Sequence, residues 1–312
     1  MYVMSTGERL SNPEAMSCIS QLIADGNDLS VIDPGHRLVR QNAALLGRVL
    51  EDRYREVFIQ DALQTGHCFL GANGQLIFRT GETPASFVGL ALEAYVVRCI
   101  NDNMRQVGRL ALQWCSLRAN RPRNGFVDKY FAIGTGLKKT RDHFPFFYAP
   151  QSGVDVIFLC DAKRSVTPEV KHEPLNLMGT TVAAGIQIKA ILGNEMGEII
   201  QPMLANKYLN VLTLLRRADG THSADVCMDI VRRLAADGGI TEVQRRHLER
   251  GICRPEETGL DQREIDWYYE YARAYVEGRA PLDSAGLDAI AIEVKNWKYS
   301  EAGMLLPGSE LH

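Results

Sequence analysis

Two apolar segments of this 312-residue chain carry polar side chains where a buried strand would have none. In Ser152-Gly153-Val154-Asp155-Val156-Ile157 a carboxylate opens the apolar run; in Gly185-Ile186-Gln187-Ile188-Lys189 an amide and an ammonium stand two residues apart. Side chains alternate across a strand, so Gln187 and Lys189 point to one face. An ammonium among isoleucines is costly to bury unless a partner is near. A carboxylate and an amide oxygen are ligands that hard divalent cations accept, and an ammonium can orient water or offset developing negative charge. The plainer alternative is that Asp155 is a turn residue after Gly153 and that Lys189 snorkels from a sheet edge. A fourth polar group, Glu93, sits in the middle of an apolar helix, either on its solvent side or buried for a reason.

The elements that must position these groups are legible from periodicity. Thr83 or Ser86 can cap a helix running to about Arg105, with Phe87, Leu90, Leu92, Val96, Val97, Ile100 and Met104 apolar. Val154–Leu159 and Ala183–Leu192 read as strands, Met196–Leu204 as a helix, Tyr208–Leu215 as a buried strand, and Ser223–Ala236 as a helix capped by Ser223 and stopped by Gly238-Gly239. Alternation of strands and helices implies crossovers onto one sheet. Upstream, Asn12-Pro13-Glu14 opens a short helix through Ile23, and Arg37–Tyr54 has helical spacing. Cys68-Phe69-Leu70 and Leu76-Ile77-Phe78 flank Asn73-Gly74 as in a hairpin. Downstream, Thr241–Arg250 and Asp261–Glu277 are charged-faced helices, and Ala289–Lys295 is a last strand. The expected organisation is α/β: an N-terminal helical and hairpin region (1–82), a core with a mixed central sheet flanked by helices (83–236), and a C-terminal helical extension with a terminal strand (237–312).

On these residues the chain resembles the PD-(D/E)xK restriction-endonuclease-like nuclease superfamily, and most closely its Mrr-like branch, in which glutamine replaces the acidic residue of the catalytic strand. Gly153-Val154-Asp155-Val156 looks like the metal-binding aspartate segment and Gln187-Ile188-Lys189 like the Gln-x-Lys strand. The helix with Glu93 resembles the first core helix, and the Tyr208 strand with the Ser223 helix resembles the segment after the catalytic strand. The resemblance covers roughly residues 83–236, and its motifs are short, so order and setting carry the weight. It implies a Mg²⁺-dependent DNA endonuclease, with Mn²⁺ able to substitute, acting in restriction or anti-phage defence as a homodimer, with an ATPase or another defence-system protein as a candidate partner. Asp155, Gln187 and the Ile188 carbonyl would hold the metal; Lys189 would act on the attacking water. Glu93 would bind a second metal or support the site through water. The alternatives are a catalytically degenerate nucleic-acid-binding or scaffold subunit, and a nuclease acting on RNA.

Two rival signatures exist. Pro168-Glu169-Val170-Lys171 also fits Glu-x-Lys, but lies among Thr, Pro, Lys and His and reads as loop. Glu293-Val294-Lys295-Asn296-Trp297 comes after an apolar strand and looks like the catalytic strand of many nucleases of the superfamily, yet little chain remains beyond it for the crossover helix and strand. From Arg118 to Arg141 the chain is basic: Arg118, Arg121, Arg123, Lys129, Lys138, Lys139 and Arg141 face only Asp128, with Phe126, Tyr130 and Phe131 interleaved. That is the expected phosphate-contact surface, its bland alternative a solvated loop. The aromatic helix Trp267–Tyr275 is either a dimer or partner surface or packing for the chain's own core.

Composition narrows the class. The chain is 46% hydrophobic and 23% charged with a formal net charge of −3, so attraction to nucleic acid must be local. Seven cysteines without a Cys-x-x-Cys pair read as reduced thiols rather than a zinc site. Seven scattered histidines without a His-x-x-x-His pair are assigned to no metal, and Gly134-x-Gly136 with Lys138 lacks the rest of a phosphate loop. The N-terminus has no basic region leading into an apolar run, and no segment approaches a membrane span. A cytoplasmic protein without membrane contact is expected.

Overall fold

The computed structural model describes residues 2–3, 9–10, 26, 28–30, 32–35, 37–40, 43–71, 76–78, 83–150, 152–161, 171–279, 297–299 and 305–307. In chain order the elements are β1 (Tyr2–Val3), β2 (Arg9–Leu10), α1 (Arg37–Arg40), α2 (Ala43–Gln64), β3 (Cys68–Leu70), β4 (Leu76–Phe78) and α3 (Pro84–Asp102). A π-turn (Met104–Gly108) leads into α4 (Arg109–Cys115), then α5 (Asn124–Val127), β5 (Tyr130–Gly134), α6 (Lys138–His143), β6 (Val156–Asp161), β7 (His172–Pro174) and β8 (Gly185–Lys189). A second π-turn (Met196–Ile200) continues as α7 (Gln201–Leu204); then come β9 (Val211–Thr213), α8 (Ser223–Ala236), α9 (Glu242–Gly251), β10 (Ile252–Cys253), α10 (Gln262–Val276), β11 (Trp297–Tyr299) and β12 (Leu305–Pro307). The expected helix at 12–23, the Asn73-Gly74 turn, the Glu169 signature and the Ala289–Lys295 strand lie outside the described residues.

The chain forms two compact units. One comprises 61–67 and 85–266 and holds a mixed six-stranded sheet of order β10-β9-β8-β6-β5, with β7 also on β6. β5, β7 and β8 run antiparallel to β6, whereas β8, β9 and β10 are mutually parallel. Parallel neighbours need crossovers: the π-turn with α7 joins β8 to β9, and α8 with α9 joins β9 to β10. The crossover helices bury Ile199, Ile200, Met203, Cys227, Val231 and Leu248 against Val211 and Ile252. The sheet therefore draws its last strand from the region expected to be a helical extension, because the amphipathic α9 covers the same apolar core as α8.

Local chemistry explains the helix ends, with one correction. Thr241 and Gln244 form a reciprocal capping box at the start of α9. At α8 the capping group is His222 and not Ser223: Ala224 N–H donates to His222 Nδ1 at 3.0 Å, while Ser223 Oγ donates to the Ile191 carbonyl at 2.9 Å. Gly238, at φ +67°, ends the helix as expected.

The other unit comprises 1–60, 68–84 and 267–312. The hairpin strands pair as expected, with Cys68 opposite Phe78 and Leu70 opposite Leu76. The buried part of the aromatic stripe of α10 packs inside its own unit. Tyr268, Tyr271 and Tyr275 are buried, and all three pack on Phe58 at ring-centroid distances of 6.2, 5.9 and 5.0 Å. Tyr271 donates its hydroxyl to the buried Glu51 carboxylate at 2.8 Å. Spacing at one helical face cannot distinguish an internal from an external apolar partner; here α2 supplies the internal one.

Tyr268→Ala should therefore lower stability by about 3–5 kcal/mol and leave the oligomeric state untouched. Thermal melting with sedimentation velocity checks both, and a change of assembly at unchanged stability would restore the partner-surface reading.

Candidate functional site

Asp155 stands where the β6–β8 ladder ends. Val156 pairs with Ile186, and the Asp155 N–H still donates to the Ile186 carbonyl at 2.9 Å. The next backbone donor on that edge of β8 is the Ile188 N–H, with no β6 carbonyl left to meet it. The Asp155 carboxylate takes that place, its Oδ2 accepting from Ile188 N at 2.7 Å. The other edge of β8 bonds towards β9, through Gln187 N to the Asn210 carbonyl at 2.8 Å and Leu214 N to the Lys189 carbonyl at 3.0 Å. Asp155 is tied to β5 as well, since Thr135 N–H donates to its carbonyl at 2.8 Å.

Two glycines let this segment settle. A Cβ on Gly153 would collide with the Lys207 carbonyl, and one on Gly185 with Val154 and the Val156 carbonyl. The Val154 carbonyl accepts from Thr135 Oγ1 at 2.6 Å and from Ser152 Oγ at 2.5 Å, which clamps the approach to Asp155.

Glu93 is delivered by α3. Near its C-terminal end, Asn101 pairs with both backbone groups of Ala132 on β5, donating to its carbonyl at 2.9 Å and accepting from its N–H at 2.8 Å. This satisfies an exposed sheet edge and fixes the register of helix on strand. One turn back, Val97 lies against Gly134, and a further turn back is Glu93, level with the end of β5 beside Asp155. The stripe Ala85, Ser86, Gly89 and Glu93 of α3 lines a cleft of ≈ 310 Å³ whose other wall is Ile188, Ala190 and Ile191.

The four side chains singled out by sequence thus meet at one end of the sheet. Gln187 is buried, and its Nε2 donates to Asp155 Oδ2 at 2.5 Å. Lys189 finds a partner that the sequence does not announce: Nζ pairs with Glu198 Oε2 at 3.2 Å and lies 5.2 Å from the Tyr208 ring, which Lys207 also faces at 5.2 Å. Glu198 belongs to the π-turn directly after the strand, nine residues on; the one available signal was a carboxylate in the first turn of the crossover helix.

Burial dominates the electrostatics. It raises the Asp155 carboxyl to about 6, although the Ile188 N–H and the Lys189 charge both oppose it. Glu93 stands well above the usual carboxylate range, first through burial and then through the Asp155 charge, with Lys189 again opposing. Two carboxyls that resist simultaneous ionisation, faced by one ammonium, form a site short of positive charge.

Whether these groups suit a divalent cation can be judged from their donors. Gln187 Oε1 is buried and accepts no hydrogen bond among the described residues. Asp155 Oδ1 is likewise unused among the described residues, and the Ile188 carbonyl meets only Gln187 Nε2, at 3.4 Å. Among the described residues no group of three or more His, Cys, Asp or Glu could hold a metal. A cation here would rest on Asp155, Glu93, the Gln187 amide oxygen and the Ile188 carbonyl, an oxygen set that suits Mg²⁺ or Mn²⁺.

The basic stretch is not one surface. Arg118, Arg121 and Arg123 line a separate pocket before β5; Lys138, Lys139 and Arg141 lie on α6 after it; Lys129 is exposed between them. Gly134 pairs with Val156 whereas Tyr130 pairs with Cys160, so the α6 cations share the Asp155 end of the sheet and the arginine pocket lies at the opposite end. Among the described residues no helix is long and apolar enough to cross a membrane, and Cys68, Cys99, Cys115, Cys160, Cys227 and Cys253 are free thiols. No family model, curated protein or solved structure matches the chain.

The raised carboxyls predict a pH-dependent stability. Asp155 holds its proton in the fold but releases it near 3.8 in the unfolded chain, so without a divalent cation stability should fall as pH rises from 3.8 through about 6. At about pH 8 Asp155→Asn should melt higher than wild type in EDTA by about 3–6 °C. Mn²⁺ should raise the wild-type melting temperature more at that pH than in acid. Differential scanning fluorimetry decides it: a flat profile, or no response to Mn²⁺, would remove the case for a desolvated cation site.

Proposed function

We propose that the chain is a metal-dependent nuclease that hydrolyses DNA phosphodiester bonds at the Asp155–Gln187–Lys189 centre. The observation that carries this reading is the unpartnered Gln187 Oε1, buried beside the Asp155 carboxylate on the strand that also presents Lys189. The order of elements supports it: a glutamate-bearing helix, three antiparallel strands, a crossover helix and a parallel strand. The proposal reads that order through the Mrr-like resemblance of the segments around Asp155 and Gln187-Ile188-Lys189.

Each residue then has a physical task. A bound Mg²⁺ would polarise the phosphate oxygen and acidify a water. Asp155 and the Gln187 amide oxygen would hold that charge, and Glu93 would add a second carboxylate. Lys189, restrained by Glu198 and the Tyr208 ring, would orient the attacking water and offset charge on the phosphorane-like transition state. The Lys138, Lys139 and Arg141 cations on α6 would contact flanking phosphates without reading bases. A neutral amide in place of a second strand carboxylate weakens cation affinity, which also favours a second reading: a degenerate nucleic-acid-binding subunit that has lost hydrolysis.

Plasmid nicking in Mg²⁺, Mn²⁺ or EDTA separates the two. Cutting should need the metal and fall by about 10²–10³-fold in Asp155→Asn and Lys189→Ala, with Lys295→Ala close to wild type. Loss in Lys295→Ala alone would move catalysis to the Glu293-Val294-Lys295 signature. Wild-type protein that binds DNA and never cuts it would establish the degenerate reading.

A further inference from the structure

The arginine pocket at the far end of β5 has a chemistry of its own. It encloses ≈ 320 Å³ and is lined by Arg118, Arg121, Arg123, Phe126 and Met178 together with Ala119, Asn120 and Pro122. The Arg118 guanidinium lies over the Phe126 ring at 4.5 Å, and Phe126 in turn packs on Tyr130 at 5.0 Å. Met178, 65% exposed as a residue, contributes a thioether, and its backbone is pinned by donation to the Ser116 carbonyl at 3.0 Å.

Among the described residues the positive charge here meets no carboxylate partner. No carboxylate lines the pocket, and the neighbouring Asp128 is taken by a two-pronged pair with Arg105, at 2.9 and 3.0 Å. Neither Arg121 nor Arg123 pairs with a carboxylate among the described residues. Among the described residues the Arg118 Nε is buried without a hydrogen-bond acceptor.

A guanidinium–aromatic stack extended by a thioether is a platform for a flat ring, and unpaired arginines beside it are a seat for phosphate. The two features together call for a ligand that is flat at one end and phosphorylated at the other. We infer that this pocket binds one unstacked nucleotide unit, its base on the Arg118–Phe126 platform and its phosphate on Arg121 and Arg123. A base inside a duplex is stacked on its neighbours and cannot enter; the unit comes from a single strand or from a free nucleotide. β5 has five residues, so the pocket stands roughly 17 Å from the Asp155 end, a span of roughly five stacked nucleotides. A single strand seated here can therefore pass along β5 towards the hydrolytic centre.

The test is binding in EDTA, where cleavage plays no part, so its failure and a failure of the hydrolytic reading are separate results. Fluorescence anisotropy compares a short labelled single-stranded DNA with its blunt duplex, and AMP and inorganic phosphate serve as competitors. The single strand should bind about tenfold more tightly than the duplex, and Phe126→Ala should remove about tenfold of that affinity. Arg121→Glu, at an exposed position that leaves the platform intact, should weaken it comparably. AMP that binds directly and displaces the strand, where phosphate does not, would assign the pocket to a free nucleotide; AMP without effect would assign it to a strand. Duplex binding equal to single-strand binding, both variants behaving as wild type, or no binding of either strand or AMP would overturn the inference.

Discussion

Everything at the candidate site depends on one hydrogen bond, from the Ile188 N–H to Asp155 Oδ2. A strand that stops pairing leaves its neighbour with an unmet backbone donor, and a buried N–H must find an acceptor. Here β6 gives way to a loop at Asp155 while its partner β8 runs on from Ile186 to Lys189, and the Asp155 side chain supplies the missing acceptor. The carboxylate is thereby held in the plane of the sheet with one oxygen engaged and the other unused. Gln187, next on the strand, adds its own donor to the engaged oxygen. A structural requirement of the sheet and a chemical requirement of a cation site are met by the same group.

That arrangement has an electrostatic consequence. Asp155 and Glu93 are both desolvated and both resist ionisation, and the nearby ammonium is shared with Glu198, which lies at the rim. The centre stands short of positive charge, with a buried amide oxygen lacking any donor. Such frustration in a native fold is informative, because a chain under selection only for stability would replace these groups by apolar ones. The scaffold that holds the strain is ordinary: Asn101 locks α3 on the β5 edge, and the crossover helices close the opposite side around β9.

Much of this was legible in the sequence. The alternation of Gln187 and Lys189 in an isoleucine-rich strand, the lone Glu93 in an apolar helix and Asp155 after Gly153 all break a local rule, and all four reach one place. The readings that failed did so where two physical explanations share one pattern. A tyrosine-rich helical face looks the same whether it meets a partner or α2. His222 caps α8 ahead of Ser223 because a tertiary contact draws the serine hydroxyl away to the Ile191 carbonyl. A run of cations seven strong in sequence becomes two separated sets because a strand lies between them.

Sequence by itself therefore determined which groups were anomalous, since anomaly is a property of residue type against local period, and it determined β6, β8, β9 and their crossover helices but not the strands β5, β7 and β10. The tertiary structure alone decided partnership: that Glu198 meets Lys189, that Asn101 sets the level of Glu93, and that Arg118 lies on Phe126 away from the Asp155 centre. The reason is physical. Periodicity encodes which face of an element is turned inward, but the side chain waiting there comes from a distant part of the chain, and only the packed sheet brings the two together.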